Sequence, residues 1–165
     1  MKKVFYYILF SFLALILQIK FKLIFTGIDI VPDFLLLVVV FSALFSGTKT
    51  GILMGLILGF IQDIYLGGFF GLYTIIKAIA GGLTGIMEGK IYKKNILIPP
   101  MIVFILSLLQ EHFIIPLSQK LLFKINYLEV LKGNIFPFSL YNLIAAFLIY
   151  LIIYFSHLSR SKYYE

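Results

Sequence analysis

Asp63, Lys77, Glu111, His112 and Asn142 are the residues whose types could do chemistry within long apolar runs of this chain. Two carboxylates, Asp63 and Glu111, could share acid–base work, but that needs partners within hydrogen-bond reach. Glu111 and His112 are adjacent, so on a helix their side chains point about 100° apart, a poor start for a dyad. No Gly-x-Ser-x-Gly elbow, His-Glu-x-x-His pair or phosphate loop occurs. Cysteine is absent, which removes thiol nucleophiles, disulfides and thiolate metal sites. The two histidines, His112 and His157, lie too far apart to suggest a metal cluster. The expectation is therefore no enzyme, no catalytic residue, no metal and no cofactor. Asp63, Glu111, His112 and Asn142 either line a polar cavity opening outward or pair with one another and with interfacial water.

A second pattern concerns association rather than catalysis. Gly51, Gly55, Gly59, Asp63 and Gly67 follow at four-residue steps, as do Lys77, Gly81, Gly85 and Gly89. Residues four apart share one helix face, so each helix carries a glycine stripe with one charge. Small-residue stripes let backbones approach closely in lipid, where hydrophobicity drives no association. A hairpin turning near Gly68 sets Asp63 opposite residue 75 or 76, within reach of Lys77, with Gly59 facing residue 80 and Gly55 facing residue 84. One reading packs the stripes together and pairs Asp63 with Lys77. The other gives one stripe, or the Asp63 carboxylate, to a partner helix or a ligand. The glycine face of 50–66 is expected to serve a partner as well as its neighbouring helix.

The elements that must carry these residues are membrane spans. Of 165 residues, 62% are hydrophobic and 13% charged, against about 25% charged in a soluble domain. Mean hydropathy is +1.08. A soluble domain of this length buries only about 70% of its surface and could not hide so much Phe, Leu and Ile. Crossing lipid takes about 20 apolar residues in a helix. Six segments qualify, at 4–25, 32–46, 50–66, 69–87, 96–117 and 137–156. They are apolar all round rather than alternating, which excludes a β-barrel. The expected fold is an all-α integral membrane protein, a single six-helix domain over residues 1–165. Pro32 suits a helix start, with Asp33 beside it at the outer mouth of its span, and Pro99 and Pro100 suit a first turn.

Lys2 and Lys3 precede the first span, but Gln18-Ile19-Lys20-Phe21 is too bulky for a signal-peptide cleavage site, so that span is expected to be retained. With the N-terminus inside, inner loops hold eight Lys or Arg residues and outer loops five. The positive-inside rule then sets both termini in the cytoplasm. The net charge of +7 suits anionic lipid headgroups, and no soluble surface exists for nucleic acid. Between 118 and 136, Leu121, Leu122, Ile125, Leu128 and Leu131 recur at helical steps with lysines between them, as in a helix lying at the membrane surface.

Pro32-Asp33-Phe34, the turn Gly47-Thr48-Lys49, the stripe Gly51 to Asp63, Gly67, Gly68, Gly71-Leu72 and the stretch Pro137-Phe138-Ser139-Leu140-Tyr141-Asn142 together resemble the rod shape-determining MreD family. Lys77 is not part of that family pattern. The resemblance implies a non-catalytic membrane protein of the bacterial cell-elongation machinery, in the cytoplasmic membrane. It implies association with an MreC-like protein, and indirectly with MreB, RodA and a class B penicillin-binding transpeptidase, in lateral peptidoglycan synthesis. It also implies a fold similar to the substrate-binding subunits of energy-coupling-factor vitamin transporters. Such a subunit is the alternative function. Those subunits dock their partner through alanine-rich stripes on the first helix, whereas here that helix has Ala14 as its only alanine and no glycine.

Overall fold

The computed structural model describes residues 2–24, 30–66, 70–89, 95–118 and 127–161. Every regular element among them is helical: α1 (Lys2–Ile24), α2 (Phe34–Leu66), α3 (Leu72–Gly85), α4 (Ile98–Ser118), α5 (Tyr127–Val130) and, after a π-turn at Leu131–Ile135, α6 (Phe136–Ser161). Hydrocarbon offers backbone groups no partner, so each span must satisfy its own. That demand overrides the strand preference of the run Val38-Val39-Val40. Phe34–Leu66, Ile98–Ile115 and Leu128–Phe155 are long and apolar enough to cross a membrane, while Tyr6–Phe21 and Leu72–Gly85 are shorter apolar helices.

The expected spans 32–46 and 50–66 fall on the two arms of α2, a helical run of 33 residues broken at Gly47. Straight, it would run about 50 Å, well beyond the roughly 30 Å hydrocarbon core. It folds back at Gly47, where φ is 80° and ψ −177°, a conformation open to a residue without Cβ. Leu35 and Val39 of the first arm (34–46) pack with Met54 and Leu58 of the second (48–66). A Cβ on Gly51 would meet Ala43, whereas residues eight apart on a straight helix stand about 12 Å apart. The two arms are therefore antiparallel, and the expected loop 47–49 shrinks to one non-helical residue.

The first arm is the centre of the bundle. Leu36, Leu37, Val40, Phe41 and Leu44 pack with Ala80 of α3, Val103 of α4, and Ala146 and Tyr150 of α6. A helix apolar all round finds its place in such a centre. On its other side Ala14 of α1 joins Leu35, Val39, Met54 and Leu58. Large side chains such as Phe12, Ile57, Ile79 and Leu148 point outward, where lipid is their solvent.

In the turn just before α4 the Asn95 side chain accepts from the Leu97 amide at 3.0 Å. Pro99 and Pro100 lie in the first turn of α4. The last helix differs from expectation. From Tyr127 the chain runs through α5 and the π-turn directly into α6, so helix begins ten residues before 137. Residues 119–126 of the expected surface helix lie outside the described residues.

Candidate functional site

Asp33 stands just before α2 and ties five helical segments together. Its Oδ1 accepts from the Leu36 amide at 2.9 Å, a helix cap. Its Oδ2 receives Lys77 Nζ of α3 in a buried ion pair at 2.5 Å, Gln110 Nε2 of α4 at 2.9 Å and Gln62 Nε2 of the second arm at 3.3 Å. Its backbone amide donates to Asn142 Oδ1 of α6 at 2.7 Å. Asn142 Nδ2 in turn donates to Ser107 Oγ of α4 at 2.9 Å. Lys77 is 0% exposed and also donates to Gln110 Oε1 at 3.4 Å. An isolated charge here would cost at least a few kcal/mol on insertion scales. Three neutral donors on the carboxylate and the facing ammonium offset that cost.

The pairing expected between Asp63 and Lys77 does not occur. Asp63 instead accepts from the amides of Tyr73 at 3.0 Å and Thr74 at 3.1 Å, and from Thr74 Oγ1 at 2.5 Å. It supplies the cap that Gly71, at φ 95°, has no side chain to give. This capping draws the start of α3 alongside the last turns of α2. Gly59 therefore meets Thr74 rather than residue 80, and Gly55 meets Lys77 and Ala78 rather than residue 84. Lys77 then lies one turn deeper than Asp63 and reaches the carboxylate at the mouth of the first arm.

The glycine faces are occupied by each other. Gly51 lies against Gly81, and Gly85 against Gly47 and Thr48, backbone to backbone. Facing outward beside them is a shallow apolar groove whose lining includes Thr48, Ile52, Ala78 and Gly82. Gly71 and Gly89 have φ values of 95° and 71° and open space where a Cβ would go, so they serve turns. Gly67 lies outside the described residues.

Beside the Asp33 cluster is a cavity of about 270 Å³, partly open, at the end of the bundle where α2 stops and α3 starts. Asp33, Gln62, Tyr65, Tyr73, Glu111, Asn134 and Phe138 help line it, with Gln18 of α1. Of the four residues expected at an outer cavity, Glu111 lines it. Asn142 is buried in the cluster behind it, Asp63 caps α3, and His112 is exposed with its ring edge-on to Phe113 at 5.5 Å. The sequence sets Asp33 only at the mouth of its span and Gln62 only beside Asp63 on a neighbouring face, and the expected site residues do not include Gln18, Ser107 or Gln110. A signal for two of them existed: Val103, Ser107, Gln110 and Ile114 recur at three- and four-residue steps, and all four are buried. Among the described residues no group of three or more His, Asp or Glu is placed to hold a metal.

A family model, that of rod shape-determining protein MreD, matches residues 1–158. The chain belongs to the MreD family. That family is one of membrane proteins acting in rod shape determination, in keeping with the three membrane-capable helices. No curated protein and no solved structure matches this MreD-family chain.

Proposed function

We propose that this chain is a non-catalytic membrane scaffold of the bacterial cell-elongation machinery. It sits in the cytoplasmic membrane with both termini in the cytoplasm. It associates with an MreC-like protein, and through it with MreB, RodA and a class B penicillin-binding transpeptidase during lateral peptidoglycan synthesis. The observation that carries this reading is the family match over residues 1–158. The geometry supports it: the buried charges Asp33 and Lys77 engage each other, and the Asp63 carboxylate caps α3. These groups are used to hold helices together. The glycine faces are filled by α2 and α3 against each other, so in this reading the partner meets another part of the bundle.

The test is purification of the tagged protein from its native host in mild detergent, with mass spectrometry of what accompanies it. An MreC-like protein with peptidoglycan synthases is the expected result. Repeated recovery without any such protein would overturn the reading. Depletion should in addition turn rods into rounded cells, and reporter fusions at both ends should register the cytoplasmic side.

A further inference from the structure

The polar groups lining the cavity beside Asp33 divide into those already engaged and those still free. Both carboxylates are engaged. Asp33 holds Lys77, Gln62 and Gln110, and the Gln110 side chain also hydrogen-bonds Glu111. Free are the hydroxyls of Tyr65 and Tyr73 and the side-chain amide of Asn134, none of which has a hydrogen-bond partner among the described residues. All three groups are neutral, and each both donates and accepts. Asn134 reaches the cavity from an uncommon piece of backbone, the π-turn Leu131–Ile135. Such turns occur mostly singly and often at functional sites. This one buries Ile135 and leaves Asn134 exposed beside it.

The rest of the wall narrows the class of ligand. Tyr65, Tyr73 and Phe138 contribute rings, with flat apolar faces and, on the tyrosines, polar tips. A hydrocarbon chain would take water from the free hydroxyls and amide and return no hydrogen bond. An anion would meet Asp33 and Glu111. A cation would find one carboxylate held by Lys77 and the other by Gln110. A neutral ring bearing several hydroxyls suits every part of this wall. Its hydroxyls donate and accept like the groups that meet them, and its C–H faces pack on aromatic rings. The volume, about 270 Å³, lies near the small end of ligand sites, about 300–1,000 Å³. It takes one ring and leaves the rest of a larger ligand outside the open mouth.

We propose that this cavity binds one sugar ring, with Tyr65, Tyr73 and Asn134 hydrogen-bonding its hydroxyls and Phe138 packing against its face. The ring belongs either to a soluble saccharide or to the headgroup of a glycolipid. In the orientation proposed above the mouth opens at the outer surface of the membrane. The site is independent of the partner association and is tested on the chain alone.

The full chain is placed in phosphatidylglycerol nanodiscs and titrated with the methyl glycosides of glucose, mannose and N-acetylglucosamine. Cyclohexanol, a ring with a single hydroxyl, is the control for apolar filling. Calcium chloride and n-butylamine are the controls for a cation. A second preparation contains glucosyl diacylglycerol, and retained lipid is read by native mass spectrometry. Saturable glycoside binding at least tenfold tighter than that of cyclohexanol, or selective retention of the glycolipid over phosphatidylglycerol, is expected. The first identifies a soluble saccharide as the source, the second a headgroup. Asn134→Ala and Tyr65→Phe should each weaken binding severalfold and leave the thermal midpoint of the empty protein at its wild-type value, since both side chains are exposed and hold no other described residue. A merely structural role would move the midpoint instead. Tyr73→Phe, which keeps the ring and removes the hydroxyl, should weaken binding likewise. Absence of both saturable glycoside binding and glycolipid retention overturns the proposal. So does binding unchanged in the folded Asn134→Ala and Tyr65→Phe proteins, or tighter binding of cyclohexanol, n-butylamine or calcium than of every glycoside.

Discussion

Across the α2–α3 contact backbone meets backbone, whereas across the α4–α6 contact side chain meets side chain. In the first, Gly51, Gly55, Gly59, Gly81 and Gly85 leave no room for a Cβ. In the second, Val103 and Ala146 share one apolar cluster, Phe104 sets its ring edge-on to Phe136 at 6.2 Å, and Asn142 donates to Ser107. Both contacts form in a solvent as apolar as the side chains, so burial of hydrocarbon drives neither. The glycine contact gains from close backbone approach and is intolerant of any added atom. The side-chain contact gains from packing and one or two buried hydrogen bonds, so it degrades by degrees. The Asp33 cluster joins the two, since Lys77 belongs to α3 while Gln110 and Asn142 belong to α4 and α6.

The sharpest way to break this contrast is Gly55→Leu. Its side chain would occupy the backbone of Lys77 and Ala78, and the expected loss is on the order of 5 kcal/mol or more, the range of exceptional single substitutions. Proteolysis of the purified protein in mild detergent should show an open hairpin. A Gly55→Leu protein that keeps its wild-type thermal midpoint would show that α2 and α3 are not packed in this register. Next in size is Lys77→Met, which leaves the buried Asp33 carboxylate without its cation and should cost about 3–5 kcal/mol. The double variant Asp33→Asn with Lys77→Met should recover most of that loss, measured as the difference in denaturation midpoint.

On the side-chain contact, Ser107→Ala removes the acceptor of Asn142 Nδ2 and should cost about 1–2 kcal/mol, with the fold intact by circular dichroism. The smallest effect is expected at Gly82, where an added Cβ meets only Ile52 side-chain carbons, the nearest at 3.2 Å. Gly82→Ala gains helix propensity of about 0.5–1 kcal/mol against that slight crowding, so its thermal midpoint should stay near wild type. A large loss there would move the close-packed face from Gly51, Gly55 and Gly59 toward the groove.

Composition and the length of apolar runs by themselves determined that the chain is a helical membrane protein, because lipid permits few other backbones. Order and spacing also carried the family, and the four-residue glycine steps marked the two helices that pack most closely. Tertiary structure decided the rest. A buried Lys77 demands a carboxylate, and where the sequence pointed to Asp63 the fold supplies Asp33. Which one answers depends on the hairpin register, and that register was set by Asp63 capping the amides of Tyr73 and Thr74. Gly47 looks like an ordinary turn residue in sequence. The packing of Leu35 and Val39 on Met54 and Leu58 shows how tight that turn is, with the two arms folded directly on each other. The convergence of Gln18, Gln62 and Glu111 on one cavity joins residues from three helical segments far apart along the chain. Periodicity reports which face of a helix a residue occupies, but not which other face it will meet.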